Sequence, residues 1–288
     1  MSIANLYATR TRMQPSDWIS SRDGTKLFTV SALVPKPERV IVLVHGFAEH
    51  IGRYSKLISE LNQANMSVIG VDLRGHGRSH GKRGYIDSVE QYVEDLDAAI
   101  KKAQKKTGVK KVTLIGHSMG GLIASCYAAS HPQNLTDAVL SSPFFALSVK
   151  VPYWKVQVGK IMSSLIPWFS LKSTLDPKCL THDQAIVRTF QEDPLIFHHV
   201  TARWFEQLTG FREEALKLAS QIQTPLLLQL SGEDYVVDFE TSKQWFDRLT
   251  GIDCTLKIYE GFYHEIYNEV RRDEPVGDML AWLQRGTR

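Results

Sequence analysis

Continuous apolar runs alternate along the chain with stretches in which apolar residues recur at helical spacing. The apolar runs are short and rich in β-branched residues, as is typical of strands buried on both faces of a sheet. They lie at residues 40–44, 67–71, 111–115, 138–141, 225–230 and 255–259. Helical stretches separate them, at residues 54–64, 89–106, 119–130 and 242–249. This alternation predicts a mostly parallel central sheet flanked by helices on both faces.

Local signals refine this pattern at its edges. Residues 18–20 and 27–30 flank Asp23-Gly24, which predicts an antiparallel hairpin at the edge of the sheet. Ser88 is followed three residues later by Gln91, as in a helix-capping box. Pro132 ends the helix before it, because proline has no backbone N–H to donate.

The alternation breaks between residues 144 and 223, where strand signals vanish and helical signals dominate. An insertion at the carboxyl edge of such a sheet lies above the crevice in which ligands bind. We therefore expect three parts: residues 1–143 form the first part of the core, residues 144–223 an inserted helical cap, and residues 224–288 the second part of the core.

Composition narrows the class of protein. The length of 288 residues fits one domain with an insertion, and the net charge of +3 without a long Lys/Arg run argues against a nucleic-acid partner. Three widely spaced cysteines favour a reducing, cytoplasmic compartment over a disulfide framework. Residues 1–5 lack the pattern of a signal peptide, and no uncharged apolar run approaches the roughly 18 residues of a membrane span.

One serine stands at a turn between a predicted strand and a predicted helix. The segment reads Gly116-His117-Ser118-Met119-Gly120. In this context the serine takes a strained backbone conformation that lifts its hydroxyl clear of the sheet, and the glycines leave room for neighbouring backbone. Ser118 is therefore the candidate nucleophile.

A serine hydroxyl is a poor nucleophile at neutral pH, so it needs a base, and the base needs an orienting acid. Of the ten histidines, His264 follows the final strand on a loop that contains a glycine. Asp234 and Asp238 both follow the preceding strand. Asp234 is closer to the strand end, whereas Asp238 suits the cap of the next helix, so we favour Asp234 as the acid. The order Ser, Asp, His is the one that α/β-hydrolases use.

The reaction also requires donors where negative charge develops on the substrate carbonyl oxygen. The backbone N–H of Met119, next to the nucleophile, is one candidate. The other is the N–H of Phe47, in the loop after the strand that ends at Val44.

Four segments resemble the monoacylglycerol lipase and lysophospholipase branch of the serine α/β-hydrolases. They are His45-Gly46-Phe47-Ala48-Glu49-His50-Ile51-Gly52-Arg53-Tyr54, Asp72-Leu73-Arg74-Gly75-His76-Gly77-Arg78-Ser79, Gly116-His117-Ser118-Met119-Gly120-Gly121 and Leu256-Lys257-Ile258-Tyr259-Glu260-Gly261-Phe262-Tyr263-His264-Glu265. The resemblance implies a triad of Ser118, Asp234 and His264 and an oxyanion hole at Phe47 and Met119.

The resemblance also implies the reaction. It favours hydrolysis of a lipid ester with one fatty acyl chain, foremost a monoacylglycerol to glycerol and free fatty acid, through an acyl-enzyme on Ser118. Alternatives are a lysophospholipase or general carboxylesterase, then an aminopeptidase or a non-catalytic ligand-binding protein. No metal or organic cofactor is required.

Other classes fit the residues less well. Residues 72–81 match neither a dinucleotide fingerprint nor a phosphate-binding loop. His198-His199 occurs without a metal-binding pattern. Dehalogenases and epoxide hydrolases of this fold use an aspartate nucleophile, which the serine argues against.

The cap sequence allows two interpretations. One group of apolar residues recurs at helical spacing and is followed by Trp168-Phe169; the group consists of Trp154, Val158, Ile161, Met162 and Leu165. Four lysines lie along the same stretch: Lys150, Lys155, Lys160 and Lys172. In the first interpretation, this stripe makes transient contact with a membrane surface. In the second, it lines the acyl pocket, with Trp154, Trp168 and Phe169 as substrate-binding residues. Both predict a preference for medium or long acyl chains. The protein is then cytoplasmic, or peripheral at a membrane.

Overall fold

The computed structural model describes residues 14–149, 152–173 and 175–285. These residues form ten strands: β1 (Gln14–Ser20), β2 (Lys26–Ala32), β3 (Arg39–Val44), β4 (Met66–Val71), β5 (Val112–His117), β6 (Leu135–Ser141), β7 (Ser170–Lys172), β8 (His199–Thr201), β9 (Leu226–Ser231) and β10 (Cys254–Tyr259). The N-terminal residues, for which the sequence predicts no signal peptide, lie outside this description.

The same described residues form eight α-helices. They are α1 (Ser55–Gln63), α2 (Glu90–Thr107), α3 (Met119–Ser130), α4 (Tyr153–Leu165), α5 (Gln184–Glu192), α6 (Ala202–Leu218), α7 (Phe239–Phe246) and α8 (Asp273–Gln284). None of the described helices is long and apolar enough to cross a membrane.

Eight strands form the central sheet, in the order β1-β2-β4-β3-β5-β6-β9-β10. The hairpin of β1 and β2 is antiparallel and lies at one edge, while the six strands from β4 to β10 in this order pair in parallel. Parallel strands end at the same edge of a sheet, so the loops after β3, β5, β9 and β10 meet there. The predicted mostly parallel sheet with flanking helices is confirmed.

Apolar side chains fill both faces of the sheet. One cluster packs α2, α3 and α6 against one face, with Tyr92, Leu122 and Trp204 among its members. A second cluster packs α1 and α8 against the other face, with Leu61 and Met279 among its members. Because both faces are covered, the strands read as continuous apolar runs rather than as alternating ones.

The structure differs from the predicted elements in four places. α2 begins at Glu90 without a side-chain cap, so the expected Ser88 cap is wrong; instead the Gln91 side chain accepts a bond from the Ser88 N–H at 3.5 Å. α7 spans Phe239–Phe246 rather than residues 242–249, although Asp238 caps it as predicted. The segment between β6 and β9, which we call the insertion, contains the two-stranded sheet β7–β8 as well as helices. α8 has no counterpart in the predicted pattern.

Candidate active site

Ser118 occupies the turn between β5 and α3. Its backbone has φ 52° and ψ −117°, and a positive φ of this kind costs a non-glycine residue on the order of 1–3 kcal/mol. Close packing holds the turn: a Cβ on Gly116 would lie 2.5 Å from the Gly120 carbonyl oxygen, and a Cβ on Gly120 would lie 2.5 Å from that of His45. Only glycine fits at these two positions, and the serine is fixed at the carboxyl end of a central strand.

Asp234 and His264 are joined by a buried hydrogen bond. His264 Nδ1 lies 2.8 Å from Asp234 Oδ2, and the two side chains are 4% and 2% exposed. The other oxygen of Asp234 accepts bonds from the N–H groups of Val236 and Val237 at 2.8 and 2.9 Å. Since Nδ1 is occupied by this pairing, Nε2 is the nitrogen of His264 that can accept a proton.

Asp238, the alternative carboxylate, is occupied elsewhere. Its Oδ1 accepts bonds from the N–H and the hydroxyl of Thr241, the first of these at 2.8 Å, and it caps α7. The structure therefore brings Asp234, and not Asp238, to His264.

Nearby charges favour the protonated form of His264. Burial lowers the pKa of this imidazole, but the carboxylates of Asp234, Glu265 and Glu49 outweigh burial and raise the pKa above its usual value. Burial raises the pKa of Asp234, whereas the adjacent His264 and the two backbone N–H groups lower it. The net effect is a pKa below the usual value for aspartate. This arrangement suits a base that takes up a proton beside a carboxylate that keeps its charge.

The ring of His117 packs against that of His264. His117 precedes Ser118, and its ring centroid lies 4.8 Å from that of His264. Burial, followed by the neighbouring His264, lowers the pKa of His117 to about 4, so it stays neutral. Among the described residues no hydrogen bond joins the Ser118 hydroxyl to His264; such catalytic bonds are often long before substrate binds.

The loop after β3 lies against the turn at residues 116–120, which we call the elbow. A Cβ on Gly46 would lie 3.2 Å from Ser118 Cβ. His45 Nε2 accepts a bond from the Leu73 N–H at 3.0 Å, so the proton of the neutral ring is on Nδ1, which donates to the Gly46 carbonyl at 2.7 Å. That carbonyl and the Phe47 N–H belong to one planar trans peptide and point in opposite directions, so His45 fixes the direction of the Phe47 N–H.

Met119 supplies the other expected donor. It is the first residue of α3, and the first N–H groups of a helix have no partner inside the helix. Of the two predicted oxyanion donors, Met119 directly follows Ser118, and Phe47 directly follows Gly46, which lies against Ser118.

Three aromatic residues predicted to bind substrate lie on the outer surface of the insertion. Trp154, Trp168 and Phe169 are 62%, 65% and 42% exposed. Their role as substrate-binding residues stays a prediction.

Two other aromatic residues of the insertion reach the loop after β3. The ring of Trp204 lies 4.1 Å from that of Phe47, and the ring of Phe197 lies 5.3 Å from it, centroid to centroid. The sequence contains them only as part of a generally aromatic segment, and periodicity alone does not distinguish them from the exposed group.

A buried group of charges beside the elbow was also not predicted. Arg53 contacts both Glu49 and Glu265, and all three residues occur in the segments that carry the family resemblance. Within the described residues, no group of three or more His, Cys, Asp or Glu side chains is placed to hold a metal ion.

Several known proteins are similar to this chain in sequence and fold. A family profile described as serine aminopeptidase, S33, matches residues 35–271. The monoacylglycerol lipase of Mycolicibacterium smegmatis is 32% identical over 86% of this chain and 88% of its own length. An uncharacterized abhydrolase domain-containing protein of Dictyostelium discoideum is also 32% identical over 86% of the chain, which spans only 26% of that protein.

A solved structure agrees with these relatives. The crystal structure of Paleococcus ferrophilus monoacylglycerol lipase superposes with a TM-score of 0.82 at 36% identity, and the match covers 89% of this chain and 98% of that one. The predicted resemblance and fold are confirmed. With a profile matched over most of its length, the chain belongs to the serine aminopeptidase S33 family of serine α/β-hydrolases.

Proposed function

We propose that the protein hydrolyses monoacylglycerols to glycerol and free fatty acid through an acyl-enzyme on Ser118. The observation that carries this proposal is the buried 2.8 Å bond between His264 and Asp234 at the sheet edge where Ser118 holds its strained turn. Lipid-ester hydrolysis agrees with the similarity to monoacylglycerol lipases.

The proposed mechanism assigns one task to each group. His264 Nε2 takes the proton of Ser118 as the hydroxyl attacks the ester carbonyl, and Asp234 stabilises the resulting imidazolium. The N–H groups of Phe47 and Met119 hold the oxyanion. His264 then protonates the departing alcohol, and a water activated by the same ring releases the fatty acid.

An exposed apolar surface on the insertion bears on how lipid reaches this site. It consists of one face of α4 and the segment after it, whose large side chains are 40–78% exposed. They are Tyr153, Trp154, Val158, Ile161, Leu165, Ile166, Trp168, Phe169 and Leu171. The opposite face of α4 packs on α6, where Gly159 faces Phe205. The periodic stripe therefore faces outward, which favours membrane contact over a role as pocket wall.

We name these nine residues the cap surface and infer that it rests transiently on a lipid surface. Lys160 and Lys172 flank it and are exposed, so they can meet anionic headgroups. Lys150 lies outside the described residues, as does the side chain of Lys155. A cytoplasmic location remains a prediction, to which the free thiols of Cys126, Cys179 and Cys254 add support.

A substrate panel tests the proposed function. It compares monoacylglycerols of increasing chain length, lysophosphatidylcholine, p-nitrophenyl acetate and aminoacyl amides, with Ser118→Ala as the control. We expect kcat/KM to be highest for medium or long monoacylglycerols and to rise by up to about fourfold per methylene, since each buried methylene contributes about 0.8 kcal/mol. Preference for the acetyl ester or the amide would overturn the assignment. Preference for lysophosphatidylcholine would identify a lysophospholipid, and not a monoacylglycerol, as the substrate.

A further inference from the structure

A buried ion cluster lies beside the proposed catalytic residues. Arg53 donates to Glu49 Oε2 at 2.5 Å and to both oxygens of Glu265 at 2.7 Å. The three side chains are 4–6% exposed. Glu49 Oε1 accepts two further bonds, from the Gly46 N–H at 2.6 Å and from the Tyr54 hydroxyl at 2.7 Å.

The cluster connects two loops that carry different parts of the site. At one end, Glu49 holds the N–H of Gly46, the residue directly before the oxyanion donor Phe47. At the other end, Glu265 directly follows His264. A continuous series of hydrogen bonds therefore runs from the loop after β3, which we call the oxyanion loop, to the loop that carries His264. Its central pair, Arg53 and Glu265, is 212 residues apart in the chain.

Stability alone does not account for such an arrangement. The desolvation of buried ions offsets much of their attraction, so well-packed apolar side chains often stabilise a fold as well or better. An isolated pair would also need no link to Gly46. Arg53 instead forms a planar fork on Glu265 and a third bond to Glu49, which fixes the spacing of the two carboxylates.

The cluster also places charge near the base. Two carboxylates against one guanidinium leave one formal negative charge, in addition to that of Asp234. The groups that act on His264 are Asp234, Glu265 and Glu49, which favour its protonated form, while the ring of His117 packs beside it as a neutral group.

We propose that Glu265 is a positioning residue, which acts through Arg53 and Glu49 to hold the oxyanion loop at a fixed distance from the loop of His264. This inference rests on the proposed function of the same site. Glu265 touches neither nucleophile nor substrate in this scheme. Its effect on the reaction is to keep the Phe47 N–H and the base aligned on one carbonyl group and to place negative charge beside the imidazole.

The chain offers a matched control for Glu265. Arg272 forms a similar fork on Glu60, with bonds of 2.6 and 2.7 Å between segments that are also 212 residues apart. Glu60 lies on α1, away from the loops that carry Ser118, Asp234 and His264. Glu60→Gln therefore removes a forked charge pair without touching the proposed site.

The experiment measures thermal unfolding, kcat, KM and the pH profile of kcat for wild type, Glu265→Gln and Glu60→Gln with a water-soluble p-nitrophenyl butyrate. For Glu265→Gln we expect kcat to fall about 10- to 100-fold with KM within about twofold, because misplacement by about 1 Å has an effect of this size. The acid limb of the profile should move to lower pH, since a carboxylate that favours the imidazolium is lost. Glu60→Gln should change only the unfolding temperature.

Glu265→Asp separates geometry from charge and serves if the glutamine variant does not fold. It keeps the carboxylate but shortens its reach by one methylene, so kcat should fall while the acid limb stays in place. The inference is overturned if Glu265→Gln or Glu265→Asp loses stability as Glu60→Gln does but keeps the kcat of wild type. If the Ser118→Ala variant still hydrolyses the ester at the wild-type rate, the proposed function is overturned instead. The two failures are therefore distinguishable.

Discussion

His50 donates a hydrogen bond from Nε2 to Asp193 Oδ2 at 2.8 Å, and this bond joins the core to the insertion. The direction follows from the ring's other nitrogen, since Nδ1 accepts a bond from the Gly52 N–H at 3.2 Å. Both side chains are buried. His50 lies in the loop after β3, which also carries the proposed oxyanion donor Phe47, so the position of the insertion and that of this loop are linked.

Asp193→Ala should loosen this attachment. A hydrogen bond to a charged group contributes about 1.5–3 kcal/mol, and the variant leaves the N–H of His50 without its acceptor. We expect faster amide hydrogen exchange in residues 193–201 and in residues 47–52. Asp193→Asn retains an oxygen acceptor and should exchange much more slowly than the alanine variant. Equal exchange in both variants and wild type would argue that the bond does not hold the insertion.

Ser118→Ala should abolish both ester hydrolysis and labelling by a fluorophosphonate probe, because both reactions need an activated serine. The fold should persist, since alanine fits the same turn. Circular dichroism and probe labelling check this together. Turnover at the wild-type rate in the folded variant would remove Ser118 from the mechanism.

Asp234→Asn and Asp238→Ala should have opposite effects. The N–H groups of Val236 and Val237 fix the oxygen of an asparagine at position 234, so its amide would face His264 and force the wrong tautomer, lowering kcat by about 10⁴-fold. Asp238→Ala removes a helix cap and should reduce the free energy of unfolding by about 1 kcal/mol with kcat nearly unchanged. Steady-state kinetics and urea unfolding compare the two; the reverse pattern would show Asp238 to be the acid.

The pH profile of kcat should have an acid limb above the ordinary histidine value of 6.5, because the net effect of burial and of nearby carboxylates raises the pKa of His264. Activity requires the neutral ring and so rises with pH. The stabilisation from the charged pair has the opposite sign: it is fully present below the unfolded-state pKa and is lost as pH rises through the raised folded-state pKa. Kinetics and unfolding across this window should therefore change in opposite directions. An acid limb well below 6.5 would contradict the raised pKa.

Trp168→Ala should weaken binding to anionic phospholipid vesicles, measured by co-sedimentation at low and high salt. Trp168 belongs to the cap surface and is 65% exposed, so it can insert into the lipid interface. Trp18→Ala is the matched control, since Trp18 is 47% exposed but lies on the edge strand β1. No vesicle binding by wild type, or equal loss in both variants, would leave the cap surface without a membrane role.

Local patterns determine how much of this molecule is predictable from its sequence. The strands and the turn at Ser118 follow from contiguous apolar runs and glycines, and Asp234 and His264 follow from their places after two strands. The link between Arg53 and Glu265 was not predicted, because no local pattern indicates which side chains meet across 212 residues. The bond between His50 and Asp193 was missed for the same reason.

Helical periodicity also has a limit of its own. It identifies the residues that share one face of α4, but it does not say what that face meets. The stripe that includes Val158 and Ile161 therefore fitted a pocket wall and a lipid-facing surface equally well. The exposure of these two side chains, 48% and 58%, favours the proposed lipid-facing surface.

The tight contacts of Gly116 and Gly120 restrict how this chain could acquire new activities. Any larger residue at either position would collide with backbone of the opposing segment, so substitution there can abolish the elbow but cannot adjust it gradually. Side chains of the cap surface meet solvent instead, so they can change without such a collision. Divergence toward other acyl groups should therefore accumulate in residues 144–223, around an elbow that tolerates almost no change.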